Sequence, residues 1–180
     1  MLRSLHGSIL VIGLLALGFL AAGVGVWWQW QQTRRCLAFY GIQVTEQISK
    51  APRVELWRFK RPSNGGRTGQ LYVNRVQDIT DAKGLVHLRR GLVEDANFQW
   101  LERGKLGFKP LPDTAWDVAI VFYGSDNLES TPSHAVIAID FGENPQEANL
   151  TVVGRPGRIA LGKMANGLRT WVESTAKWLD

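Results

Sequence analysis

Between Arg3 and Arg34 the chain carries no Lys, Arg, Asp or Glu, and residues 8–28 (SILVIGLLALGFLAAGVGVWW) are apolar or small throughout. As a helix rising about 1.5 Å per residue this run reaches roughly 31 Å, the thickness of a bilayer's hydrocarbon core. A helix apolar on every face needs lipid or a large protein interior around it, and a chain of 180 residues offers no such interior. The expected organisation is therefore a short tail over 1–7, one transmembrane helix over 8–30 and a single globular domain over 31–180. A cleavable signal peptide would need a shorter apolar core and a small-residue cleavage site. Arg3 and the Ala21-Ala22-Gly23 run fit that pattern, but the apolar stretch continues past them through Val24, Val26, Trp27 and Trp28. An uncleaved signal anchor is the expectation. Trp27, Trp28 and Trp30 fall where indoles sit at headgroup level, and Arg34 and Arg35 follow as a charged stop.

Orientation rests on a small margin. Arg3 lies on the amino-terminal side and Arg34 and Arg35 on the other, which leans towards a cytoplasmic domain by one charge. Gly18/Ala22 and Ala21/Gly25 have the four-residue spacing that lets membrane helices approach closely, a pattern that also arises by chance in a Gly/Ala-rich run. Oligomeric state is left open by these residues.

Beyond residue 35 lie 145 residues, a normal size for one domain. The single cysteine, Cys36, excludes an intramolecular disulfide and a multi-cysteine metal site. Its place just past the span suits acylation, with an inert helix residue as the plainer alternative. The net charge of +5 hides an asymmetry: residues 34–109 hold 15 Lys/Arg against 7 Asp/Glu, whereas residues 110–180 hold 5 against 9. The half nearer the span is basic and the distal half acidic.

Leu37, Tyr40, Val44 and Ile48 recur at helical spacing, so an amphipathic helix is expected over 35–49, ending before Pro52. No proline interrupts 28–50, so it should continue from the membrane helix as one rigid piece. RVELWRFK over 53–60 and QLYVNRV over 70–76 read as strands joined by a turn-rich loop, PSNGGRTG. A helix follows, capped by Thr80 or Asp81, with Leu85, Leu88 and Leu92 inward and Gly84 and Gly91 weakening it. A short strand is expected over 98–101, stronger ones over 116–123, 134–141 and 150–153, and a weaker one over 158–161. The closing helix spans 163–179, with Met164, Leu168, Trp171, Thr175 and Trp178 on one face. Short links between successive strands indicate an α+β domain with a mainly antiparallel sheet of about five to seven strands and about three helices, the last C-terminal, packed on one face of the sheet.

No complete catalytic set is visible. The strongest candidate is a pair of carboxylates. If the strands holding Asp117 and Asp140 form a hairpin with their apolar faces alike, one register sets Asp117 opposite Asp140 and Tyr123 opposite His134. Adjacent carboxylates raise one another's pKa and suit acid/base work or a metal; the alternative is two solvated aspartates at the strand ends. His134 and Asp140, six residues apart on one strand, are about 20 Å from each other and cannot act together. His87, with Arg90 and Glu94 further along its helix, is a weaker catalytic candidate, a solvated histidine being the default. Asp140-Phe141-Gly142 spells a kinase tripeptide without the glycine-rich loop, lysine strand or catalytic loop of a kinase. Asn149-Leu150-Thr151 matches a glycosylation acceptor of the kind expected by accident. Three histidines and one cysteine leave no histidine-rich or cysteine-rich metal motif, and no cofactor fingerprint is present.

Arg53, Arg58, Lys60, Arg61, Arg67 and Arg75 cluster on the expected hairpin among Trp57, Phe59 and Tyr72. Such interleaving can serve single-stranded nucleic acid. The adjacent anchor makes the lipid bilayer the first partner and favours anionic headgroups or a protein surface over nucleic acid. Charge that guards a strand edge against unwanted pairing is the bland alternative. The expectation is a non-catalytic interaction module at the membrane surface. A membrane-tethered enzyme using Asp117 and Asp140, and a structural subunit of a membrane complex, are the alternatives.

Overall fold

In the computed structural model the described residues are 2–60, 72–100, 116–124, 134–144, 147–155 and 157–176. The chain opens with α1 (Leu2–Lys50), a helix of 49 residues whose first part is long and apolar enough to cross a membrane. Leu17, Phe19, Leu20 and Val26 stand exposed, so this part leans on nothing in the domain. Burial starts at Cys36 and continues through Phe39, Tyr40, Val44 and Ile48, which join the hydrophobic core. The buried stripe thus includes Cys36 and Phe39, while Leu37 is only half-buried.

The helix is not one unbroken rod. Gly41 has φ 69 and ψ 167, a conformation open to glycine and costly for L side chains, so the helix breaks between Tyr40 and Ile42. Two contacts hold the break. Arg155 Nη1 donates to the Phe39 carbonyl at 3.5 Å, and the Thr45 hydroxyl donates to the Gly41 carbonyl at 2.9 Å. The Arg155 guanidinium also occupies the space a side chain at Gly41 would need, 2.8 Å from where its Cβ would lie. Before the break, the Asp95 carboxylate accepts the backbone N–H groups of Arg35 at 2.9 Å and Cys36 at 2.7 Å. Asp95 and Arg155 thus fasten the helix to the domain before residue 40, and Arg89, donating to the Ser49 and Ala51 carbonyls at 3.1 and 2.7 Å, fastens it at its end.

Six strands follow: β1 (Arg53–Lys60), β2 (Tyr72–Asp78), β3 (Val118–Tyr123), β4 (His134–Asp140), β5 (Asn149–Val152) and β6 (Ile159–Ala160). They form one sheet in the order β2-β1-β3-β4-β5-β6, with every neighbouring pair antiparallel. Gln99 makes one isolated bridge to Ala160 where a further strand was expected, beside a 3-10 turn at Asp95–Asn97. Two further α-helices lie among the described residues, α2 (Leu85–Leu92) and the C-terminal α3 (Ala165–Thr175). The fold is α+β with a six-stranded antiparallel open sheet.

One face of the sheet carries Val54, Leu56, Ile120, Phe122, Ile137, Ile139 and Leu150, which pack with the buried residues of α1, α2 and α3 in a single cluster. Burying one such Leu or Ile contributes about 1.5–3 kcal/mol, so this face holds the helices to the sheet. Ala119, Val121 and Ala138 alternate with those residues and are also buried, on the opposite face.

Neither Thr80 nor Asp81 caps α2. The Thr80 hydroxyl is engaged by the backbone N–H of Val54 at 3.0 Å, and α2 starts later, at a left-handed Gly84 with φ 91. Trp171 of α3 lies over that glycine and donates its indole N–H to the Lys83 carbonyl at 2.9 Å. A tertiary contact sets this helix start in place of a side-chain cap. On α3, Ala165, Leu168 and Val172 are buried and Trp171 is half-buried; Trp178 lies outside the described residues.

Candidate functional site

The β3–β4 register pairs Val118 with Ile139 and Tyr123 with His134; Asp117 lies just before this ladder, its backbone N–H donating to the Ile139 carbonyl at 3.0 Å, and Asp140 pairs with Asn149 of β5. Each carboxylate, however, accepts a backbone amide at the strand end. Asp117 Oδ2 accepts the N–H of Phe141 at 2.8 Å, and Asp140 Oδ1 accepts the N–H of Gly142 at 2.9 Å. Arg169 of α3 donates to the carbonyls of Phe141 and Gly142, at 2.8 and 2.9 Å, and its guanidinium lies over the Phe141 ring. Asp117, Asp140 and Arg169 together satisfy the polar backbone where β4 turns away from the sheet. This arrangement locks the turn.

His134 stands exposed at the other end of β4, its ring 6.0 Å from that of Tyr123. His87 is exposed on α2. The two histidines and the two aspartates do not converge, and no group of three or more His, Cys, Asp or Glu able to hold a metal occurs among the described residues.

The most concentrated chemistry lies elsewhere, on the sheet face turned away from the helices. Glu55, 5% exposed, sits in the middle of β1 with both carboxylate oxygens engaged. Oε1 accepts the guanidinium of Arg53; Oε2 accepts the indole N–H of Trp57 and the hydroxyl of Tyr123, each at 2.8 Å. Arg53 and Tyr123 are cross-strand partners, and the guanidinium lies 5.2 Å from the Tyr123 ring centroid. Burial pushes the Glu55 carboxyl up, but the bonds from Trp57, Tyr123 and Arg53 outweigh it and hold the group below the usual glutamate range. Burial and then the Glu55 bond raise the Tyr123 phenol. Arg53, counted by sequence among the surface cations, is thus partnered by a buried anion. Sequence could have flagged Glu55, a carboxylate two residues from Trp57 on one strand face. The β1–β3 pairing that brings Tyr123 to it is non-local and has no sequence mark.

Of the remaining basic residues, Arg58 and Arg75 are directly opposed across β1 and β2, and Lys60 is exposed at the end of β1. Arg61 and Arg67 lie outside the described residues. At the helix exit, Trp27, Trp28, Trp30, Arg34 and Arg35 are all exposed, with the Arg34 guanidinium 5.2 Å from the Trp30 ring centroid. Cys36 is fully buried, and burial, then the neighbouring Asp95, hold its thiol well above the usual range. Such a thiol is closed to acylation in the folded state. Between the end of α1 and the start of β4 runs an open groove of about 600 Å³, lined in part by Gln47, Lys50, His134 and Arg155. Comparison of the chain with family models, curated proteins and solved structures finds no match.

Proposed function

We propose that the protein is a single-pass, membrane-anchored interaction module that performs no catalysis and presents its basic first hairpin to a negatively charged partner at the bilayer surface. The observation that carries this reading is the fusion of the apolar helix with the domain core. A helix exposed and apolar up to Trp28 becomes a core element from Cys36 onward, tied by Asp95 and Arg155, so the domain is held against the bilayer instead of hanging from a flexible leash. The indole and guanidinium groups of Trp27, Trp28, Trp30, Arg34 and Arg35 suit headgroup depth at that exit. The commitment of Glu55, Asp117 and Asp140 to structural hydrogen bonds supports a binding role over an acid/base one.

Two measurements test this. Full-length protein should stay in the membrane pellet through alkaline carbonate extraction, and removal of residues 2–30 should release it. The released domain should bind anionic vesicles or poly-glutamate in a salt-sensitive way, and replacing Arg58, Lys60, Arg61 and Arg67 together by Gln should weaken that binding. Absence of binding to both probes at low salt refutes the basic-surface reading.

A further inference from the structure

The tie between Asp95 and α1 also fixes which part of the domain is nearest the apolar stretch. Arg35 and Cys36, whose amides the Asp95 carboxylate accepts, come five and six residues after Trp30. At about 1.5 Å per residue that is roughly 8–9 Å of helix, so with Trp30 at headgroup level the 3-10 turn at Asp95–Asn97 stands at the rim of the headgroup layer. A second 3-10 turn, Gly162–Met164, packs on the first. The Cβ of any side chain at Gly162 would lie 2.9 Å from the Asn97 carbonyl oxygen. Gln99 joins the same corner through its bridge to Ala160 of β6.

The other end of α1 meets the opposite side of the sheet. Lys50 leads through Ala51 and Pro52 into β1, fifteen residues beyond Arg35, which is about 22 Å of helix. With neighbouring strands about 4.8 Å apart, β1 lies about 19 Å and β2 about 24 Å from β6. The break at Gly41 turns the helix between its ends but leaves each end where it is tied, at Asp95 and, through Arg89, at Ser49 and Ala51. The β6 edge is thus next to the exit of the apolar helix, and the first hairpin is a sheet's width away.

The corner also carries the charge that a headgroup layer favours. Arg34, Arg35 and Lys163 are exposed. The two acids beside them are taken up, Asp95 by the amides of Arg35 and Cys36, and Glu94 by Asn97 at 3.3 Å and Arg90 at 4.0 Å. Exposed cations at this depth are drawn to phospholipid phosphates.

Resting on the reading of residues 8–30 as a membrane span, we propose that the domain sits on the phospholipid headgroups by this corner, with Gln99 and Lys163 at the headgroup phosphates. The first hairpin is then carried at the edge away from the lipid, and its partner is a molecule beside the membrane, not the lipid itself.

The test uses full-length protein in nanodiscs of zwitterionic phospholipid doped with a nickel-chelating lipid. Nitroxide labels are placed on cysteines introduced singly by Gln99→Cys, Lys163→Cys, Lys60→Cys and Gly18→Cys; the native Cys36 is buried and does not take the label. Headgroup nickel should relax the labels at Gln99 and Lys163 several-fold more than the label at Lys60, because paramagnetic relaxation falls steeply with distance. These three side chains are exposed, and two of them report on the corner, so one variant that folds poorly does not decide the result. Equal or stronger relaxation at Lys60 overturns the proposal; with the Gly18 label shielded from a water-soluble nickel complex, it leaves the membrane span standing. A Gly18 label that this complex reaches as readily as the Lys60 label refutes the span, and the proposal falls with it.

Discussion

Removal of the Glu55 carboxylate is the sharpest test of the sheet's outer face. Glu55→Ala leaves three donors without their acceptor: the Arg53 guanidinium, the Trp57 indole and the Tyr123 hydroxyl. A hydrogen bond to a charged group contributes about 1.5–3 kcal/mol. The three are not additive, and Arg53 at 60% side-chain exposure recovers most of its loss from water, so its share is discounted to a surface pair's. The expected cost is about 3 kcal/mol, which at roughly 3 °C per kcal/mol lowers Tm by about 9 °C. Tyr123→Phe removes one donor and should cost about 1 kcal/mol. The double variant should cost about 1 kcal/mol less than the two single costs combined, because the shared bond can be lost only once. The pH dependence has a definite sign. The folded-state pKa of Glu55 lies below its unfolded value of about 4.3, so its stabilisation is complete above that value and disappears as pH falls through the folded pKa. Thermal denaturation of the detergent-solubilised chain, followed by near-ultraviolet circular dichroism, should show the gap between Glu55→Ala and wild type closing on acidification below about pH 4. A gap that persists unchanged to pH 3, or strictly additive single variants, would refute the buried-carboxylate account.

Gly41→Ala should destabilise the domain by about 1–2 kcal/mol, since alanine resists φ 69 and its Cβ would meet the Arg155 guanidinium; a variant as stable as wild type in urea denaturation would mean that the helix break is not held in the folded state. Cys36 should be silent to a membrane-permeant maleimide in the native protein and react after denaturation; labelling at native pH would contradict its burial.

The elements were largely legible because their signals are local. Alternation in RVELWRFK marks β1 at its observed bounds, and the Leu85, Leu88, Leu92 spacing marks the inward face of α2. For β3–β4 only the parity was accessible, because it alone buries Ile120 and Ile137 together; the register within that parity, which brings Tyr123 beside His134, was set by the fold. The candidate site was less legible. Asp117 and Asp140 drew notice as paired acids, yet their oxygens accept the amides of Phe141 and Gly142, partners defined only once the chain turns after β4. Glu55 drew none, because its partner Tyr123 is 68 residues away.

What this sequence determined by itself is the long apolar helix, the α+β order of elements and the skew of positive charge towards the first hairpin. Each follows from periodicity, length or composition within a short window. Tertiary structure decided where that helix bends, since the Gly41 break is held by Arg155 from beyond β5, and where α2 begins, since Trp171 occupies the space over Gly84. It also decided the strand order, which makes β2 a terminal strand of the sheet among the described residues and puts β1 between β2 and β3. The physical reason is the same in each case: a contact between distant residues costs chain entropy that local pattern does not encode, and only the assembled core supplies the packing and hydrogen bonds that offset it.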